Sequence, residues 1–80
     1  MRSDYDAFDS INGMLPAEFD REIATAARDA GEPQAGLTSL LDFAYMEGVL
    51  TPDILDEVDQ LYPDGTVHDY SLILRQKLSA

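Results

Sequence analysis

The sequence predicts an all-α protein, a small bundle of four to five short amphipathic helices that forms one acidic domain over residues 1–80. Two observations lead to this fold class. Apolar residues recur three and four positions apart in successive segments, which is the spacing of a helix with one buried face. Residues that favour helix starts and stops separate those segments. A hairpin across Asp64 and Gly65 is the main alternative, and the absence of a two-residue repeat in the flanking segments disfavours it.

The first helix is predicted to begin behind Ser3, whose hydroxyl can cap it, and to end at Gly13. Tyr5, Phe8 and Ile11 fall three residues apart and form its apolar stripe. The segment therefore has a start signal, one apolar face and a stop signal.

The second helix is predicted to run from Pro16, which suits the first turn of a helix, to Gly31. Arg21 and Arg28 should form local ion pairs with acids on its solvent face. Its buried face should consist of four apolar residues: Phe19, Ile23, Ala26 and Ala30.

Residues 31–36, GEPQAG, are predicted to form a loop because glycine and proline are concentrated there. The third helix is then expected to begin near Thr38 or Ser39 and to end near Gly48. Its core face should consist of Leu40, Leu41, Ala44 and Tyr45.

Two more helices complete the bundle. Thr51 can cap the fourth, and Pro52 follows at its first helical position. After a turn over residues 63–65, Thr66 and Asp69 have the spacing of a capping box for the last helix. The apolar face of the fourth helix should be Ile54, Leu55, Val58, Leu61 and Tyr62, and that of the last helix Val67, Tyr70, Ile73, Leu74 and Leu78.

Charge gives the first indication of function. Sixteen acidic residues and five basic residues produce a formal net charge of −11. Such a field repels nucleic acid and anionic lipid, and it directs the protein towards basic surfaces of other proteins. Solubility alone is the simpler explanation of the charge. No apolar run is long enough to cross a membrane and no export signal begins the chain, so a cytoplasmic protein is expected.

Catalysis and metal binding are not expected. Without cysteine the chain forms no disulfide and no thiolate metal site. His68 is the only histidine, and a single imidazole without a visible partner is best interpreted as a surface residue. The acids of residues 4–10 lack the spacing of a calcium-binding loop.

The acids of the fourth helix suggest a binding function. Carboxylates three and four positions apart on a helix lie about 5–6 Å from each other, a spacing comparable to that of phosphates along a nucleic-acid strand. The row consists of Asp53, Asp56, Glu57 and Asp64. It would suit a small acidic inhibitor of phage type, an anti-CRISPR or anti-restriction protein that mimics nucleic acid. An ordinary solvated helix face is the alternative.

Four segments are similar to acyl and peptidyl carrier proteins, which are acidic four-helix domains of about this length. LPAEFD at residues 15–20 resembles the segment after the first helix of a carrier, and TPDILDEV at 51–58 resembles the segment after the second. TVHDYSLILRQKL at 66–78 looks like the start of the last carrier helix. GLTSLLDF at 36–43 resembles the Gly-x-Asp-Ser-Leu motif that opens the second helix.

The resemblance implies that Ser39 carries a 4′-phosphopantetheine arm, added by a separate transferase. It also implies that Asp42 and Glu47 dock onto basic patches of partner enzymes. A serine at a helix N-terminus would place the phosphodiester near the positive end of the helix dipole. A helix cap is the alternative role of Ser39.

A third function is a small assembly module. Tyr45, Met46 and Val49 would form its exposed apolar patch, and a weak homodimer would follow from that patch.

Overall fold

The part of the chain that the structure describes folds into five α-helices joined by turns. The computed structural model describes residues 3–80, and these contain no strand, which confirms the all-α fold class. The helices are α1 (Asp4–Asn12), α2 (Glu22–Asp29), α3 (Pro33–Met46), α4 (Pro52–Leu61) and α5 (Gly65–Ser79). Helix α3 is central and packs against α1, α2 and α5, whereas α4 packs against α1 and α5.

Two predicted helix starts are confirmed in atomic detail. The Ser3 hydroxyl accepts the Asp6 N–H at 3.1 Å, and the Asp6 carboxylate accepts the Ser3 N–H at 3.4 Å. The Thr51 hydroxyl accepts the Ile54 N–H at 3.3 Å at the start of α4. The predicted capping box of α5 is wrong, because that helix begins at Gly65 and therefore already includes Thr66.

The predicted extent of the second helix is wrong at its start. Helix α2 begins only at Glu22, and residues 13–20 form turns instead. The Arg21 guanidinium explains the difference, because it donates to the Asn12 carbonyl and amide oxygens, at 3.3 and 2.8 Å, and to the carbonyls of Pro16 and Phe19. These bonds draw the turn residues around one cation. Arg21 is thus a loop organiser and not the ion-pair partner that was predicted.

The buried face of α2 also differs from the prediction. Ala24 is buried, whereas Ile23 is 67% exposed and Ala26 and Ala30 lie at the surface. Small residues on the inner face let α2 approach α3 closely. Only Phe19 of the predicted face is buried, and it belongs to the turn that precedes the helix.

The predicted loop over residues 31–36 is largely helix. Helix α3 begins at Pro33, which suits the first turn because it needs no hydrogen-bond acceptor there. Gly36 is buried one turn later, where an added Cβ would lie 2.8 Å from the Ala24 carbonyl oxygen and 3.1 Å from the Phe8 ring. Gly36 is therefore a residue of the helix packing and not of a loop. Gly48, with φ of +76°, follows the helix end as predicted.

The core is formed by all five helices. The buried residues common to prediction and structure are Phe8, Ile11, Phe19, Leu40, Leu41, Ala44, Ile54, Leu55, Val58, Val67 and Leu74. Helix α5 departs from its predicted face, since Ile73 and Leu78 are 50% and 37% exposed while Ser71 is fully buried. The row of Val67, Ser71 and Leu74 is thus the face that packs inwards.

A hydrogen bond joins the first residue of α1 to Tyr62, the residue that follows α4. The Tyr62 hydroxyl donates to the Asp4 carboxylate at 2.6 Å. Burial is the main reason that the pKa of Tyr62 is raised, and the bond to Asp4 adds to the effect. The folded protein therefore holds this proton more tightly than the unfolded chain, whose tyrosine ionises near pH 10.0.

Tyr62→Phe is expected to lower the free energy of unfolding at pH 7 by about 1 kcal/mol. The stabilisation by the Tyr62 proton is complete below pH 10 and is lost as the pH rises above that value. Urea unfolding from pH 7 to 11 should therefore show a difference between wild type and variant that narrows above pH 10. A difference that stays constant to pH 11 would contradict this coupling.

Candidate protein-binding site

Ser39 lies inside a helix and not at its start. It is partly buried in the middle of α3, whose N-cap residue is Glu32. The predicted cap role is therefore wrong, and the dipole at the helix N-terminus does not act on Ser39. Asp42 is exposed one turn further on, and the exposed Glu47 is the C-cap residue, about 12 Å along the axis from Ser39. Attachment of 4′-phosphopantetheine to Ser39 stays a prediction.

The predicted acidic row on α4 is only partly free. Arg75 of α5 donates to Asp56 at 3.0 Å and to Asp59 at 2.9 Å. Burial lowers the pKa of Arg75, but the bonds to these two carboxylates raise it by more. Glu57 is partly buried and takes part in contacts of its own, whereas Asp53 and Asp64 are exposed. The row therefore does not present an uninterrupted line of free carboxylates.

His68 lies beside Asp59, one of the two carboxylates that Arg75 binds. Its Nδ1 lies 3.4 Å from the Asp59 carboxylate, and both atoms are buried. The prediction of a plain surface residue is thus wrong, since His68 is partly buried at the junction of α4 and α5. Among residues 3–80 no group of three or more potential ligands is arranged to hold a metal ion.

The remaining cations of residues 3–80 are also engaged within the protein. Arg28 donates to Asp9 at 2.9 Å and to Asp29 at 3.2 Å, and it lies over the Tyr5 ring. The hydrogen bonds to Asp9 are the main reason that its pKa is raised. Lys77 lies over the ring of Tyr45, with 5.6 Å between its Nζ and the ring centroid.

A groove with an acidic rim lies between the turn that precedes α2 and the end of α3. We call it the acidic groove. It consists of two adjoining cavities of about 160 and 190 Å³ that share Asp20 and Glu47 as lining residues. Ile23 and Phe43 complete the first cavity, and Pro16, Glu18, Phe19 and Val49 complete the second.

Backbone groups act on two of the three acids of the groove, Asp20 and Glu47. The Asp20 carboxylate accepts the Glu22 N–H at 3.1 Å, which fixes it at the start of α2. Glu47 is the C-cap residue of α3, where the helix dipole is negative and the last turn contains no basic residue. Within the part of the chain that the structure describes, no basic side chain forms an ion pair with Glu18, Asp20 or Glu47.

Most of the groove could not be identified from the sequence. Among its lining residues the sequence predicts a binding role for Glu47 and, in the apolar patch of the third hypothesis, for Val49, whereas it predicts Ile23 and Phe19 to lie in the core. Asp42, Asp53, Asp56 and Glu57 do not line the groove. Asp20 lies two residues before Glu22, the first residue of α2, and an aspartate near a helix start is the one local signal, because its carboxylate can accept a backbone N–H there. The apolar patch of the third hypothesis is reduced to Met46, since Tyr45 and Val49 are partly buried.

Comparison with models of protein families, with curated proteins and with solved structures finds no match for this chain. None of the helices within residues 3–80 is both long enough and apolar enough to cross a membrane.

Proposed function

We propose that this protein is a non-catalytic inhibitor that binds a lysine- and arginine-rich surface of a partner protein, of the kind that otherwise binds nucleic acid. The observation that carries the proposal is the placement of the cations. All four basic residues within residues 3–80 are engaged by groups of this chain, and none of them forms an ion pair with the three acids of the groove. The groove therefore combines three carboxylates that form no ion pair within residues 3–80 with the exposed apolar side chain of Ile23.

A net charge of −11 speeds up encounters with a positively charged partner, and this acceleration weakens as salt screens the charges. Apolar contacts would then hold the complex together. The groove supports this function better than the α4 row does, because Arg75 neutralises part of that row.

The expected result is displacement of a labelled oligonucleotide from a nucleic-acid-binding nuclease of the CRISPR or restriction type. Glu18→Gln, Asp20→Asn and Glu47→Gln together should weaken this displacement at least about tenfold. The matched control is the triple variant Asp53→Asn, Asp56→Asn and Glu57→Gln. It removes the same number of negative charges from a protein whose net charge is −11, but at residues outside the groove. Its effect should be smaller by a factor of about three or more, since Arg75 already compensates Asp56.

Three outcomes would contradict the proposal. The first is that, at low salt, the protein displaces the labelled oligonucleotide from none of the CRISPR-type and restriction-type nucleases tested. The second is an equal loss from the two triple variants, which would assign binding to net charge and not to the groove. The third is a gain of one phosphopantetheine arm, recorded by intact mass after incubation with coenzyme A and a transferase and abolished by Ser39→Ala. That gain would establish the carrier function instead.

A further inference from the structure

We infer that the acidic groove recognises one peptide segment of the partner, in which two large apolar side chains flank a lysine or arginine; this inference rests on the proposed function. The apolar side chains would enter the two cavities, and the cation would lie between Asp20 and Glu47, which line both cavities. The groove would thus read a sequence pattern and not charge alone.

Cavity size is the first reason. Pockets for small molecules usually enclose about 300–1,000 Å³. The two cavities of about 160 and 190 Å³ are each below that range. A single apolar side chain suits each of them better than a metabolite does.

Exposure of apolar surface is the second reason. Ile23 is 67% exposed beside Phe43, although it is the first apolar residue of an amphipathic helix. An exposed isoleucine at a concave site contributes binding free energy when a partner covers it, because its surface is removed from water.

The position of Glu47 is the third reason. A negative charge at a helix C-terminus opposes the helix dipole, so Glu47 does not stabilise α3. The charge and the dipole together make this end of the groove more negative than the side chain alone would. A cationic side chain of a partner would relieve that repulsion.

The test uses two peptides of about 18 residues, or about five helical turns, made of leucine and lysine in equal composition. One has leucines at helical spacing so that they flank lysines on one face, and the other has the same residues scrambled. Fluorescence anisotropy with the full chain should give a dissociation constant about tenfold lower for the patterned peptide. Amide shifts in an NMR titration should be largest at Ile23, Phe43 and Glu47.

Ile23→Ser should remove most of the preference for the patterned peptide, whereas Ile73→Ser, at an exposed position of α5, should leave it unchanged. Glu47→Gln should weaken binding of both peptides without lowering the thermal midpoint. Its control is Glu32→Gln at the opposite end of α3, which should change binding by less than about twofold.

Equal, salt-sensitive binding of both peptides would overturn the inference and leave the proposed function standing, since charge alone would then bring the partner. Preference for the patterned peptide that survives Ile23→Ser would also overturn it. Failure of both peptides to bind at low salt would overturn the inference and the proposed function together.

Discussion

Gly36→Ala is expected to destabilise the protein by about 2 kcal/mol, although alanine is the better helix former by about 1 kcal/mol. A Cβ at this position would lie 2.8 Å from the Ala24 carbonyl oxygen and 3.2 Å from the Arg28 backbone nitrogen. Both atoms belong to the backbone of α2, so no rotamer change can relieve the contact. Helices α2 and α3 must move apart, and the thermal midpoint should fall by about 8–16 °C.

Gly13→Ala is the matched control for this prediction. Gly13 has φ of −68°, and its nearest neighbours would lie 3.4 and 3.6 Å from an added Cβ, which is ordinary contact. The same chemical change should therefore raise the free energy of unfolding by up to about 1 kcal/mol. Urea unfolding followed by circular dichroism would measure both variants. A Gly36→Ala protein as stable as wild type would show that the close approach of α2 and α3 is wrong.

Phe8→Ala is expected to destabilise the protein by about 3–5 kcal/mol. The ring is 1% exposed, lies against Gly36 of α3 and is covered by the Arg28 guanidinium at 5.7 Å from its centroid. Truncation would leave a cavity where α1, α2 and α3 meet. A domain of this length has a total stability of about 4–12 kcal/mol, so this one change removes a large part of it.

Tyr5→Ala tests whether the effect of Phe8→Ala comes from burial. Tyr5 belongs to the same helix and also contacts Arg28, with 5.2 Å between the guanidinium and the ring centroid, but it is 40% exposed. Its loss should cost about 1 kcal/mol, mainly from the cation–π contact and the covered part of the ring. Equal losses from the two variants in urea unfolding would contradict the central position of Phe8.

The residues of the two stability predictions lie apart from the binding surface. Phe8 and Gly36 lie where α1, α2 and α3 meet, whereas the groove lies at the start of α2 and the end of α3. Variants of Ile23 and Glu47 should therefore alter binding at nearly constant stability. Glu47 does not stabilise its own helix, and a residue that departs from local stability in this way is expected to serve a function.

The sequence by itself determined the fold class, the caps at Ser3 and Thr51, the helix ends at Gly13 and Gly48, and most of the core. These features depend on neighbours within a turn of helix, so side-chain spacing and capping chemistry are sufficient to predict them. The exposure of Glu47 was also predictable, because an acidic side chain is rarely buried without a partner for its charge.

The tertiary structure alone decided where α2 and α3 begin and where the groove lies. The start of α2 depends on Arg21 bonds that reach back to Asn12, and the early start of α3 is coupled to close packing of Gly36 on Ala24. The groove brings together Asp20, which precedes α2, and Glu47, which follows α3. Helical periodicity carries no information about such distant contacts, because it describes one face of one helix at a time.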